Sequence, residues 1–164
     1  MSAIQSFPPI IGTNARILIL GSIPGAASLA ANEYYAHPRN LFWRIIADLF
    51  NTGPLLDYTS KIQTLLNAQI ALWDVMKSCY RPGSLDAAIE KKTIVINDFN
   101  DLFAKHPDIQ QVLFNGATAE QSFRRLVLPK IHCLPLNLQR LPSTSPAHAA
   151  MSYQQKLAEW SRIK

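Results

Sequence analysis

Ala15-Arg16-Ile17-Leu18-Ile19-Leu20-Gly21 runs straight into Gly21-Ser22-Ile23-Pro24-Gly25. The first stretch is a nearly continuous run of β-branched residues and leucine, the pattern of a strand buried on both faces in the middle of a parallel sheet. The second begins where that strand stops, and an open α/β sheet presents its ligand loop at that end of a strand. Its two glycines permit close approach of a ligand, and Pro24 stiffens the turn between them. The turn is neither a phosphate-binding GxxxxGK[ST] nor a GxGxxG, and Ser22 lacks the GxSxG setting of a nucleophile elbow. Nucleotide hydrolysis and serine-hydrolase chemistry are therefore disfavoured.

Three further β-like runs follow, at 69–74, 110–116 and 130–136, the last interrupted by Pro135 and so suited to a sheet edge. Between and after them, apolar residues recur at helical spacing over 41–50, 98–106 behind a candidate Asn97 cap, 118–127 and 148–162, while 51–58 reads as a loop. Strands alternating with helices predict an α/β fold: a three-layer α/β/α sandwich around a central, mainly parallel four-stranded sheet. The 164 residues, 48% apolar and 16% charged, suit a single domain over 1–164 with a substantial core.

Sixteen Lys and Arg against 11 Asp and Glu leave a formal charge of +5, which favours polyanionic partners. The opening Met1-Ser2-Ala3-Ile4-Gln5 has no basic segment followed by an apolar run, and no stretch is long enough to span a bilayer. A cytoplasmic monomer without membrane association is expected. Cys79 and Cys133 are the only cysteines, too few for a four-thiolate cluster, so reduced thiols without a chemical role, no metal and no cofactor are expected.

Two more segments carry chemistry. Tyr34-Tyr35-Ala36-His37-Pro38-Arg39-Asn40-Leu41-Phe42-Trp43 is dense in polar and aromatic residues and ends where a helix begins. Asn40 there either caps the helix or holds a water or ligand. Phe42 and Trp43 read as core anchors, and Tyr35, an aromatic beside a glycine-containing loop, suits a stacked base. Leu141-Pro142-Ser143-Thr144-Ser145-Pro146-Ala147-His148-Ala149 offers three hydroxyls ahead of the last helix, either a solvated loop with a capping serine or a phosphate cradle.

In this order and on these structural positions, the three segments resemble the motifs of the uracil-DNA glycosylase superfamily. Gly21 to Gly25 is similar to the first motif, 36–43 to the segment that follows it in mismatch-specific members, and 142–149 to the second motif. Gly-Ser-Ile-Pro-Gly and Ser-Thr-Ser-Pro-Ala resemble the hypoxanthine-DNA glycosylase family in particular. Leu72-Trp73-Asp74-Val75, continuing to Cys79-Tyr80-Arg81-Pro82-Gly83-Ser84-Leu85-Asp86, falls where the superfamily carries a base-recognising side chain. Ile23 stands where uracil enzymes carry a water-activating Asp or Asn, and Ser143 where the most active of them carry a histidine. Two cysteines also separate the chain from the iron–sulfur branches.

The resemblance implies a monofunctional DNA glycosylase that hydrolyses the N-glycosidic bond of a flipped, deaminated base in DNA, hypoxanthine first. Asn40 is the expected catalytic residue. Gly21, Ser22, Ile23, Tyr35 and Asp74 are expected to bind the base, with Asp74 either reading its edge or serving as a cap or a salt-bridge partner of Arg81. Pro24, Gly25, Ser143, Thr144, Ser145, Pro146 and His148 are expected to contact DNA, His148 being alternatively a solvated residue in the first turn of a helix. Two other readings stand beside this one: a mismatch-specific uracil/thymine-DNA glycosylase, and a non-catalytic nucleic-acid-binding module on the same fold.

Overall fold

A computed structural model describes residues 3–54, 57–132 and 137–164. In chain order its elements are β1 (Ile4–Gln5), β2 (Ile17–Gly21), α1 (Ala26–Ala31), α2 (Phe42–Leu49), α3 (Tyr58–Asn67), β3 (Ile70–Asp74), β4 (Met76–Cys79), β5 (Val95–Ile96), α4 (Phe99–Lys105), β6 (Gln111–Asn115), α5 (Ala117–Ser122), β7 (Asn137–Leu141) and α6 (Tyr153–Trp160).

The main sheet has the order β3-β2-β6-β7 with every pairing parallel, so β2 is central as its apolar run predicts. Side chains alternate across the pleat and divide the core in two. Leu18 and Leu20, with Ala71, Trp73, Val112 and Phe114, pack against Phe99 and Leu102 of α4 and Phe123 beyond α5. Ile19, Ile70, Leu72 and Leu113 face the other way, against Phe42, Ile45 and Ile46 of α2, Leu65 of α3 and Trp160 of α6. Helices thus cover both faces, giving the expected three layers. The strands also finish in register, Gly21 beside Asp74 and Asn115 beside Leu141. The chain leaves β2 for β3 on one side and later returns to β6 on the other. That reversal opens a crevice beyond the strand ends.

A second, three-stranded antiparallel sheet, β1-β4-β5, was not foreseen. It continues β3: the N–H of Val75 donates to Gly21 O at 2.8 Å and that of Met76 to Ser22 O at 3.1 Å, so the chains leaving β2 and β3 stay bonded past the sheet. Helices α1 and α3 were likewise not expected; α3 begins inside the proposed 51–58 loop, where Asp57 caps it.

Three boundaries correct the sequence reading. The fourth strand is 137–141 rather than 130–136: Lys130 closes a 3-10 turn, and 133–136, including Cys133 and Pro135, lie outside the described residues. Asn137-Leu138-Gln139-Arg140-Leu141 is too polar to read as a buried strand, but an edge strand needs only one apolar face. The last helix begins at Tyr153, not 148, because Ser152 and Gln155 form a reciprocal capping box. Asn97 does not cap α4; Asp98 does, accepting from the N–H of Asp101 at 3.0 Å, while Asn97 Nδ2 donates to Asp74 O at 2.7 Å. The helical run foreseen at 118–127 continues past Ser122 as a π turn over Phe123–Val127.

Trp160 joins this core to the crevice. It is fully buried, meets Phe42 edge to face at 5.8 Å, and donates Nε1–H to Pro142 O at 2.9 Å. Trp160→Phe is expected to retain the fold and lose roughly 1–3 kcal/mol, from the unpaired carbonyl and the lost volume. Urea denaturation measures it, and unchanged stability would show that water replaces the indole at Pro142.

Candidate active site

A cleft of about 640 Å³ lies along the carboxyl ends of the main sheet, and every site residue proposed from the sequence borders it. At its floor, β2 ends in Gly21 and β3 in Asp74. A Cβ on Gly21 would fall 2.6 Å from Asp74 Oδ1 and 2.7 Å from the Tyr35 hydroxyl, so only glycine lets these two groups converge over the strand end. Asp74 is 3% exposed, and its Oδ2 has no hydrogen-bond partner among the described residues; the same holds for the Tyr35 hydroxyl. Tyr35 sits at φ +54 with its ring stacked on Phe42 at 4.4 Å, so it is a half-buried wall of the cleft rather than a free surface aromatic. Its other ring face is not used by Phe42.

Asn40 immediately precedes α2. Its Oδ1 accepts the N–H of Phe42, the first residue of α2, at 2.9 Å, so from one residue outside the cap position held by Leu41 it satisfies a free N–H of the helix start while it also lines the cleft. The loop before it is held from several sides: Trp43 Nε1 donates to Tyr34 O, the Tyr34 hydroxyl to Pro8 O, and the N–H of Ala36 to Ser28 Oγ.

The sequence reading missed Asn115, at the end of β6. Its Nδ2 donates to Thr144 Oγ1 and its Oδ1 accepts the N–H of Thr144, both at 2.9 Å. The Thr144 carbonyl in turn accepts the N–H of Leu41 at 3.0 Å, fastening the Asn40 segment to the hydroxyl-rich loop. Thr144 is therefore completely buried, an internal tie rather than an outward hydroxyl. Gly116, at φ +95, lets Ser143 come close: a Cβ there would lie 3.0 Å from Ser143 Cβ. Ser143 Oγ accepts the N–H of Ser145, and Ser145 Oγ that of Ala147, which shapes the loop from within. The signal that could have revealed Asn115 is its match to Asp74: each is a polar residue closing an apolar parallel strand.

His148 lies on this loop, five residues ahead of α6, so the helix N-terminus does not contribute to the hydroxyl cradle; its Nε2 is buried without a partner among the described residues. Its carbonyl accepts from the buried Lys156 Nζ at 2.6 Å.

The first motif is braced by the loop after β4. Arg81, 5% exposed, donates through its guanidinium to Pro24 O and Gly83 O, each at 2.8 Å. Ser22 donates to Asp86 Oδ1 at 2.9 Å, and the N–H of Ala26 to Ser84 Oγ at 3.0 Å. Ile23 and Pro24 are buried, Ile23 packing with Met76, Cys79 and Ile89, so they shape the cleft from behind. Cys79 is a buried free thiol, raised by that burial. Among the described residues, no group of three His, Cys, Asp or Glu could hold a metal, and no helix is long and apolar enough to cross a membrane.

Burial pushes the Asp74 carboxyl up to about 7, the negative charge of Asp86 adds to this, and Arg81 opposes it. Tyr35 is raised far above the ordinary phenol range by burial and then by Asp74. The cleft floor thus holds a carboxyl balanced between its neutral and charged forms beside a permanently neutral phenol.

An open α/β sheet with a polar-floored cleft at its switch point is the general setting of a ligand-binding α/β enzyme. The chain belongs to the Uracil DNA glycosylase superfamily, whose pattern matches residues 8–163. It is 34% identical over 161 residues to the "Hypoxanthine DNA glycosylase" of Methanosarcina acetivorans, covering 97% of this chain and 96% of that one. It is 40% identical over 113 residues to the protein of the same name in Methanosarcina barkeri, 68% of this chain and 70% of the relative. A solution NMR structure from Methanosarcina acetivorans, described as a candidate uracil DNA glycosylase, superposes with a TM-score of 0.77 at 30% identity over 99% of both chains.

The Asp74 shift has a consequence for stability. A carboxyl raised in the folded state holds a proton that the unfolded chain releases above about pH 4. The Asp74 contribution to stability is therefore largest below that value and is lost as pH rises to about 7, where the carboxyl ionises in place. Asp74→Asn removes this penalty. Thermal melts should show the variant gaining roughly 1–3 kcal/mol over the parent at pH 8 and almost nothing at pH 4. An equal difference at both values would place the titration elsewhere.

Proposed function

We propose that this glycosylase excises hypoxanthine from deoxyinosine in DNA by direct hydrolysis. The observation that carries the proposal is the buried Asp74 carboxyl, its Oδ2 without a partner among the described residues at the floor of the cleft. Hypoxanthine presents an N1–H donor beside a C6 carbonyl acceptor. A neutral carboxylic acid complements that edge with one acceptor and one donor, and a carboxylate still accepts the N1–H. The names of the relatives support the same base.

The target must first leave the stack, which costs least for a mismatched base. Tyr35 offers the ring face not covered by Phe42 to the flipped base. As the C1′–N9 bond breaks, its electron pair leaves with the base and positive charge grows on the sugar. A proton donated by Asp74 toward O6 stabilises the departing anion, and preorganised contacts of this kind are the larger part of such catalysis. Asn40 is neutral and cannot take a proton; it orients the water that adds to C1′, and the proton this water sheds passes to solvent, which in turn restores the proton Asp74 gave to the departing base. Its Oδ1 already accepts from Phe42, which fixes the amide plane. Ser143 and Ser145, with the exposed His37 and Arg39 at the cleft, face the flanking phosphates. Uracil carries the same N–H and carbonyl pair, so the Asp74 geometry also accommodates a second, slower substrate.

A duplex panel with inosine, uracil, xanthosine or thymine opposite each base, followed by alkaline cleavage at abasic sites, should give the fastest single-turnover rate for inosine. Uracil cut as fast across all pairings would overturn the base assignment.

Asn40→Ala should lower the inosine rate by roughly 10²–10³. Because Asn40 also satisfies an N–H at the start of α2, the same variant should lose about 1 kcal/mol of stability. Rate and melt are measured together, and a lower melt with an unchanged rate would leave Asn40 a support of the helix start alone.

A further inference from the structure

Two acidic residues line the cleft, Asp74 at its floor and Asp86. Asp86 opens a 3-10 turn, Asp86–Ala88, and is exposed. Its Oδ1 accepts from Ser22 Oγ at 2.9 Å, one residue beyond Gly21, over which Asp74 and Tyr35 converge. No ion pair reaches Asp86 among the described residues. The guanidinium of Arg81, the cation near it, is committed to Pro24 O and Gly83 O. A neutral amide would hold Ser22 equally well, so that bond does not account for a charge at this position. Arg39 on the same cleft suits phosphates, and an anion does the opposite.

The two carboxyls sit in opposite surroundings. Asp74 is enclosed and pushed up to about 7. Partial desolvation raises Asp86 as well, but the hydrogen bonds from Ser22 and Thr118 and the charge of Arg81 pull it back. Where neighbouring carboxyls are driven apart in this way, the enclosed one holds the proton and the solvent-facing one the charge. We propose that Asp86 is a second catalytic carboxylate, an anion that lies against the deoxyribose and stabilises the positive charge that grows there as the base departs. A fixed anion disfavours the phosphates of the bound ground state and favours the sugar cation of the transition state, and it is this difference that raises a rate. The bond from Ser22 fixes the carboxylate relative to the first motif, so no reorganisation is needed when the cation forms. The inference rests on the glycosylase reading of the same cleft.

Asp86→Asn keeps an acceptor for Ser22 and is expected to melt with the parent. Single-turnover excision of inosine from duplex DNA should fall roughly 10²-fold. Affinity should divide according to the charge of the ligand. A duplex carrying a neutral tetrahydrofuran abasic nucleotide should bind the variant roughly 2- to 5-fold more tightly than the parent, the scale of one exposed charge contact. A duplex carrying a protonated pyrrolidine nucleotide, which mimics the sugar cation, should bind the variant roughly 10-fold less tightly. A residue that only tethers the first motif would move both affinities the same way. That outcome, or an unchanged excision rate, would overturn the proposal. The two affinities are read without chemistry, so they test Asp86 whichever base proves to be the substrate. Failure of the parent to prefer inosine would instead overturn the base assignment.

Discussion

The carboxamide of Asn115 leaves the end of β6 and meets the backbone N–H and the hydroxyl of Thr144, two hydrogen bonds of 2.9 Å on one buried residue. Through the Thr144 carbonyl the same tie reaches Leu41, the first residue after Asn40. A sheet strand, the hydroxyl-rich loop and the loop carrying the proposed water-orienting amide are thereby held as one rigid unit. The cost of burying these polar groups is offset because each is paired. Position to within a fraction of an ångström is what such chemistry requires, and loops alone do not supply it.

The opposite policy governs the floor. Buried Asp74 and the hydroxyl of half-buried Tyr35 have oxygens without a partner among the described residues, a local expense a core does not ordinarily tolerate. Glycine at position 21 is the permissive element, since any side chain there would occupy the point where the two groups converge. In the proposed reading, such a site leaves its own polar groups unsatisfied until the polar edge of the base arrives, and selectivity follows from that. The rigid tie at Thr144 and the unsatisfied pair at Asp74 are complementary: one holds the geometry while the other awaits the ligand.

Charge and shape divide the remaining work. The +5 balance draws a polyanion towards the molecule without choosing a face. The face proposed to meet it is set by topology, because all four parallel strands end together and the braced loops rise from those ends. Arg81 contributes from inside, stapling Pro24 to Gly83 while lowering the affinity of Asp74 for its proton.

Much was legible in the chain alone. The β2 run, the alternation of strands with helices and the turn at Gly21 dictate a parallel sheet and the edge where a ligand binds, because buried strands must be apolar throughout and parallel strands need crossovers. Gly21 to Gly25 was placed at that edge by the strand before it and the other two segments were joined to it by their resemblance to the superfamily motifs, and all three line one cleft. What no local pattern could reveal depends on partners distant in the chain. The β7 edge strand is stabilised by β6 rather than by its own composition. Asn97 turned out to bond the Asp74 carbonyl instead of capping a helix. His148 stands on a loop because a capping box downstream starts α6 at Tyr153. Above all, that Asp74 is buried with an unpartnered oxygen among the described residues rather than paired with Arg81 was decided by packing, since burial and hydrogen-bond geometry are properties of the assembled fold and not of a residue in sequence.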